Sequence, residues 1–161
     1  MASTPAVRAL EQAAVPHTLH PYDAGPATGG GFGEAAVAAL GADARQVFKT
    51  LVTRVDGTLT VAVVPVSSTL DLKALAAAAG GRRAVMAEPA DAERATGYVR
   101  GGISPLGQRT RLPTVVDASA LGFGTVLVSA GRRGLQVELP PAELVRLTAA
   151  TTAAIRAART G

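Results

Sequence analysis

The chain has 161 residues, 48% of them hydrophobic, which is enough apolar material for one packed domain and too little length for two comfortable ones. It contains no cysteine, which excludes a disulfide scaffold, a thiolate metal site and a protein thiol nucleophile, and suits a reducing compartment. The formal charge of +4 permits a polyanionic partner without demanding one.

The opening residues, Met1-Ala2-Ser3-Thr4-Pro5, lack a basic stretch followed by an apolar one, so no signal peptide is expected. Thr4-Pro5 starts a helix well, with a hydroxyl cap followed by proline at the first helical position. Ala6, Leu10 and Ala13 give that helix an apolar stripe up to Val15-Pro16. Residues 17–22 alternate as a strand, which Pro21 ends or confines to an edge. A loop rich in glycine and proline follows over residues 23–33 and includes Gly29-Gly30-Gly31. A short helix over 34–40 then stops at Gly41.

Residues 47–55 and 58–66 flank Asp56-Gly57, the favoured two-residue hairpin turn. The apolar run in the second strand is far too short to span a bilayer. A soluble protein of the cytoplasm is expected. Ser68 or Thr69 caps a helix through Ala79, ended by Gly80-Gly81. A strand over 83–87 and a helix over 89–96, closed by Gly97, come next. Strands near 114–117, 125–130 and 135–139 follow, the last two joined by Gly131-Arg132-Arg133-Gly134. The stretch 141–159 reads as a C-terminal helix with a frayed tail. Hairpins among irregularly alternating helices indicate an α+β fold: one domain over residues 1–161, with a mixed, largely antiparallel sheet and helices around it.

Lysine occurs only at Lys49 and Lys73, against 14 arginines among the 16 basic residues. Lys49 lies inside an apolar strand and shares its parity with Val47, Leu51 and Val55. If that face is the inner one, the ammonium enters a cleft, since lysine is rarely buried without a partner. If Phe48, Thr50 and Val52 are inside, Lys49 is a solvated edge charge. Strand parity leaves both open.

The loop Gly101-Gly102-Ile103-Ser104-Pro105-Leu106-Gly107 allows backbone N–H groups to approach a ligand with no Cβ between, as an oxyanion hole requires. It lacks the lysine-hydroxyl ending of a phosphate loop, and a plain turn is the other reading. Ser129, at a strand end, lines a pocket or packs a hairpin. Arg132 and Arg133 form a solvated pair or meet a phosphate. His17 and His20 have no acidic or thiol partner at ligand spacing, so no metal site is expected.

Several of these segments together resemble the YbaK family, which is related to the inserted editing domain of bacterial prolyl-tRNA synthetases. They are Gln46-Val47-Phe48-Lys49-Thr50-Leu51, Asp71-Leu72-Lys73, Ala92-Glu93-Arg94-Ala95-Thr96-Gly97-Tyr98, Gly101 to Gln108, Arg111-Leu112-Pro113-Thr114 and Gly131-Arg132-Arg133-Gly134-Leu135. The resemblance runs from Thr4 to about Leu147. It implies a deacylase acting on mischarged aminoacyl-tRNA, typically cysteine on the proline tRNA, with no metal or organic cofactor. A synthetase for tRNA selection, prolyl-tRNA synthetase, is the implied partner.

By position, the family implies Lys49 as the catalytic lysine, with Tyr22, Phe32, Thr50, Gly101, Gly102 and Ser104 around the aminoacyl-adenosine group. Ile103 and Pro105 belong to the same loop. The loop before Phe32 is one residue longer than in the family, and Gln136 replaces an acidic residue. Three functions remain open: a Cys-tRNA deacylase, a deacylase for another small residue such as alanine, and a non-catalytic module that binds aminoacyl-tRNA or a synthetase.

Overall fold

A computed structural model describes residues 3–25 and 32–157. The helix α1 (Pro5–Gln12) is capped by Thr4, whose hydroxyl accepts the Val7 N–H and donates to the Ala130 carbonyl. One short side chain thus closes a helix end and ties it to a strand 126 residues away. The strand β1 (Thr18–Pro21) and helix α2 (Phe32–Leu40) follow, and the Gly29-Gly30-Gly31 segment between them lies outside the described residues.

β2 (Phe48–Val55) and β3 (Thr58–Pro65) form the expected hairpin. Asp56 and Gly57 take φ values of 48° and 85°, the left-handed pair that matches the twist of the flanking strands. β3 is buried on both faces from Thr60 onward. Its odd-numbered valines, Val61 and Val63, enter the main core with Val126, Val128, Val137, Leu139 and the apolar stripe of α1. Ala62 and Val64 face a second core with Leu75, Val115 and Ile155. Burying each valine contributes about 1.5–3 kcal/mol, so an unbroken apolar run belongs at the centre of the sheet.

The remaining elements are β4 (Thr69–Leu70), α3 (Leu72–Ala78), β5 (Ala84–Met86), α4 (Pro89–Thr96), β6 (Thr114–Asp117), a 3-10 turn (Ala118–Gly122), β7 (Val126–Arg132), β8 (Leu135–Leu139), α5 (Pro141–Thr148), β9 (Thr151–Ala153) and β10 (Arg156–Ala157). A five-stranded sheet has the order β5-β2-β3-β6-β9, a three-stranded sheet β1-β8-β7, and β4 pairs with β10. Pairing is antiparallel except at β3–β6 and β6–β9. This is the α+β architecture expected, and no helix among the described residues is long and apolar enough to cross a membrane.

Three local expectations are corrected. The helix α3 is capped by Asp71, whose carboxylate accepts the Ala74 N–H, because Thr69-Leu70 is drawn into a strand with β10. The hairpin turn between β7 and β8 shrinks to Arg133-Gly134, since β7 continues through a bulge to Arg132. The long C-terminal helix does not form. Ala149 takes a left-handed φ of 53°, and the chain returns as β9 beside β6. Asp117, almost wholly buried, holds that return by accepting the Ile155 and Arg156 N–H groups.

Candidate active site

The first half of β2 is where the five-stranded sheet opens. The Val52 carbonyl accepts the Ala87 N–H, next to β5, while the Gln46 carbonyl accepts the Leu127 N–H of β7. Backbone polar groups alternate sides along a strand, so those of even-numbered residues address this edge. Between the two contacts β5 and β7 diverge, and by alternation the N–H and C=O of Thr50 point into the gap. A cavity of about 410 Å³ occupies it.

Lys49 and Thr50 lie on opposite faces of β2 and both line the cavity. The two readings of β2 are not exclusive, because neither face is purely solvated. Phe48 enters the main core, while Leu51 and Val55 pack in the second. Lys49 is half-buried. Tyr22, Phe32, Gly101, Ile103 and Ser129 also reach this cavity, from four separate stretches of chain.

The β7–β8 turn positions them. Tyr22 N–H donates to the Gly134 carbonyl at 2.8 Å. The Arg133 guanidinium lies 4.9 Å from the centre of the Phe32 ring and donates to the Gly25 carbonyl. That stacking is worth about 0.5–1 kcal/mol at a partly exposed site. Phe32 also lies against Gly101, where a Cβ would come within 2.9 Å of the ring. With φ at +91°, Gly101 is where the loop gives up a side chain so that an aromatic ring fits.

Gly102, Ser104 and Pro105 do not line the cavity. The Gly102 N–H donates to the Val99 carbonyl, which closes a turn and leaves no donor for a substrate oxygen. Ser104 is fully buried, its hydroxyl oxygen accepting the Leu106 N–H at 3.2 Å. The Tyr98 hydroxyl donates to the Leu106 carbonyl at 2.6 Å, and burial pushes the Tyr98 pKa up to about 12. Pro105 borders a smaller cavity of about 240 Å³ beside α1 and α5. This half of the loop is held by the protein itself.

The two glycines are therefore expected to fail differently. A Cβ on Gly102 would meet the Arg132 Cα at 2.6 Å, in backbone that cannot step aside. Gly102→Val should cost about 3 kcal/mol of stability, the upper end for overpacking, and lower the melting temperature. Gly101→Val meets side chains that can move, Phe32 at 2.9 Å and Arg133 at 3.0 Å. Its φ of +91° strains a β-branched residue, yet it should cost less stability than Gly102→Val while displacing the Phe32 ring and reducing ligand binding or turnover. Thermal melts and activity on both variants check this, and equal loss of stability in the two would contradict it.

Sequence reading alone did not mark Arg100, Glu34 or Met86 on the wall, or Gln136 as a lining residue. Arg100 lies three residues beyond Gly97, the left-handed glycine that ends α4, and its N–H is held by the Glu93 carboxylate at 2.7 Å. Of the sequence-marked histidines, His17 binds the Val15 carbonyl, and His20 meets Glu138 at 2.7 Å outside the cavity. Hydrogen bonds from Thr125 and His20 hold the Glu138 pKa below its ordinary value. No cluster of three metal-ligating side chains occurs among the described residues.

Comparison with known proteins gives a family model, a curated relative and solved structures of the same fold. The family model for the aminoacyl-tRNA editing domain matches residues 32–147. A protein of Enterococcus faecalis named "Putative Cys-tRNA(Pro)/Cys-tRNA(Cys) deacylase EbsC" is 42% identical over 116 residues, 71% of each chain. A crystal structure described as "a putative trans-editing enzyme for prolyl tRNA synthetase" superposes with a TM-score of 0.81 at 28% identity, covering 98% of this chain and 99% of that one. A hypothetical protein of known structure shares the fold, with a TM-score of 0.82 at 24% identity over 96% of this chain and all of the other.

Proposed function

This chain belongs to the aminoacyl-tRNA editing domain family, and from that premise we propose that it is a trans-editing deacylase for mischarged tRNA, with Cys-tRNA(Pro) its main substrate and Cys-tRNA(Cys) a second. The observation that carries this reading is the break in the β2 ladder. It sets a lysine ammonium and a strand-edge backbone beside a cavity within the size range of small-ligand pockets. Residues 1–161 act as one editing domain, working in the cytoplasm on tRNA that a synthetase has released.

The aminoacyl ester is already activated, so positioning and charge stabilisation suffice, and neither a metal nor an organic cofactor is required. Lys49 polarises the ester carbonyl and stabilises the oxyanion that develops there. The Thr50 N–H and the Gly101 backbone flank the same carbonyl. Tyr22 and Phe32 supply flat surface for the terminal adenosine, and Ile103 and Ser129 close the aminoacyl end. Because the protein has no cysteine, no protein thiol attacks the ester, and the activated bond is open to water or to the substrate's own side chain.

For a cysteinyl ester we favour the substrate's own sulfur. A C–S bond forms at the carbonyl, the C–O bond to the ribose breaks, and the thiol proton passes to the leaving ribose oxygen. A thiolactone departs, and water opens it to cysteine.

Selection of the tRNA body is assigned to a transient complex with prolyl-tRNA synthetase. The test is a panel of cysteinyl, alanyl and seryl esters on proline and cysteine tRNAs, assayed with and without that synthetase. Cys-tRNA(Pro) should be cleaved fastest, with tRNA preference sharpened by the synthetase. Fastest cleavage of Ala-tRNA(Pro) would establish the alanine deacylase instead.

A further inference from the structure

Of the large apolar side chains among the described residues, Val99 is the most exposed, at 73%. A single exposed valine is ordinary. Its neighbours give this one weight. Tyr98 before it is buried, with its hydroxyl fixed to the Leu106 carbonyl, so the chain surfaces at Val99 from an anchored base. The Val99 carbonyl then accepts the Gly102 N–H, closing a turn with Arg100 at its tip. Gly101, at φ +91°, takes the position in such a turn that calls for glycine. Arg100 and Gly101 both line the cavity, so this turn stands at its mouth.

Three more arginines converge there. A Cβ on Gly102 would meet the Arg132 Cα at 2.6 Å, and one on Gly101 the Arg133 Cδ at 3.0 Å, so the end of β7 lies against the turn. Arg109 runs beside Gly97, where a Cβ would meet its own Cβ at 3.3 Å. Arg45, Arg54, Arg94, Arg146 and Arg156 each meet a carboxylate. Arg100, Arg109 and Arg132 are exposed and form no ion pair among the described residues. The nearby Glu93 carboxylate is taken by the Arg100 N–H. The wall at Pro89 is flanked instead by the exposed carboxylate of Glu88. The surroundings of the cavity are thus basic at the turn and acidic at Pro89.

We propose that this turn and its arginines seat the single-stranded RNA that precedes the terminal adenosine. The inference rests on the aminoacyl-tRNA reading of the cavity and extends it to the two cytidines before that adenosine. With the adenosine in the cavity, its phosphate chain leaves on the side that attracts it. Arg100 and Arg132 meet the phosphates, Arg109 adds to the field, and Val99 covers the face of a cytosine. Phosphate and base-face contacts carry no base identity, and every tRNA ends in CCA. The seat therefore supplies affinity and leaves selection of the tRNA body to another surface.

The test compares two stable ligands: 3′-amino-3′-deoxyadenosine carrying cysteine through an amide, alone and as the last residue of a CCA trinucleotide. Neither is cleaved, so only binding is read. Wild-type protein should bind the trinucleotide about 10-fold more tightly, as several exposed ion pairs and one apolar contact provide. The ratio should fall as salt rises from about 50 to about 200 mM. A combined Val99→Ser, Arg100→Gln, Arg132→Gln variant should show a ratio near one already at low salt.

A wild-type ratio near one, or one that salt leaves unchanged, overturns the proposal, and this arm decides even if the variant does not fold. An unchanged ratio in the folded variant overturns it as well. If the variant loses only a stimulation by added prolyl-tRNA synthetase, the patch docks a protein and the proposal falls. Failure of both ligands to bind wild-type protein would overturn the aminoacyl-tRNA reading along with it.

Discussion

Lys49→Ala is expected to give a folded protein whose deacylation rate falls on the order of 10³-fold, comparable to losing a main oxyanion-stabilising group. Lys49 is half-buried, and its neighbours on β2 hold the strand in place without it. Phe48, Val52 and Val55 are anchored in the cores, and the hairpin ladder to β3 uses only backbone. Lys49→Arg should recover little, because a planar guanidinium is bulkier and presents its donors in a different geometry from a compact ammonium. Single-turnover deacylation at matched circular dichroism reads both variants. Wild-type turnover by Lys49→Ala would remove the lysine from the mechanism.

Cysteinyl-tRNA is expected to be cleaved far faster than seryl-tRNA, although the two differ by one atom. Pocket selection between near-isosteres supplies only about 10- to 200-fold discrimination. If sulfur is the nucleophile the difference becomes chemical, since a thiol ionises far more readily than a hydroxyl and is intrinsically nucleophilic. Methylating the cysteinyl sulfur should then abolish cleavage, and trapping the first product should give a thiolactone before free cysteine. Comparable cleavage of cysteinyl, seryl and S-methylcysteinyl esters would mean that water attacks.

Features set by neighbours in sequence were readable in advance. Asp56-Gly57 dictates its turn by backbone sterics alone, and Thr4-Pro5 and Pro89 through Gly97 mark helices by local capping chemistry. What was missed depends on contacts between distant residues. Nothing near Thr151 announces a strand; β9 exists because β6 offers an edge and Asp117 holds the chain behind it.

The same division runs through the candidate site. Lys49 stood out as a lysine in an apolar strand, yet its two possible faces could not be ranked until the strand proved to be buried on both. From sequence the glycine loop reads as either a ligand cradle or a plain turn. In the fold Gly101 faces the cavity, while Gly102 and Ser104 are spent on internal hydrogen bonds. That Gln136 lines the cavity depends on the register of β8 between β1 and β7, which local sequence does not encode.

The most direct test of the account is whether the protein consumes or shelters the ester. Purified protein at a small fraction of the Cys-tRNA(Pro) concentration should discharge many equivalents of it, well above spontaneous hydrolysis. An ester that outlives the protein-free control, with protection saturating at one protein per tRNA, would identify a binding module and contradict a deacylase.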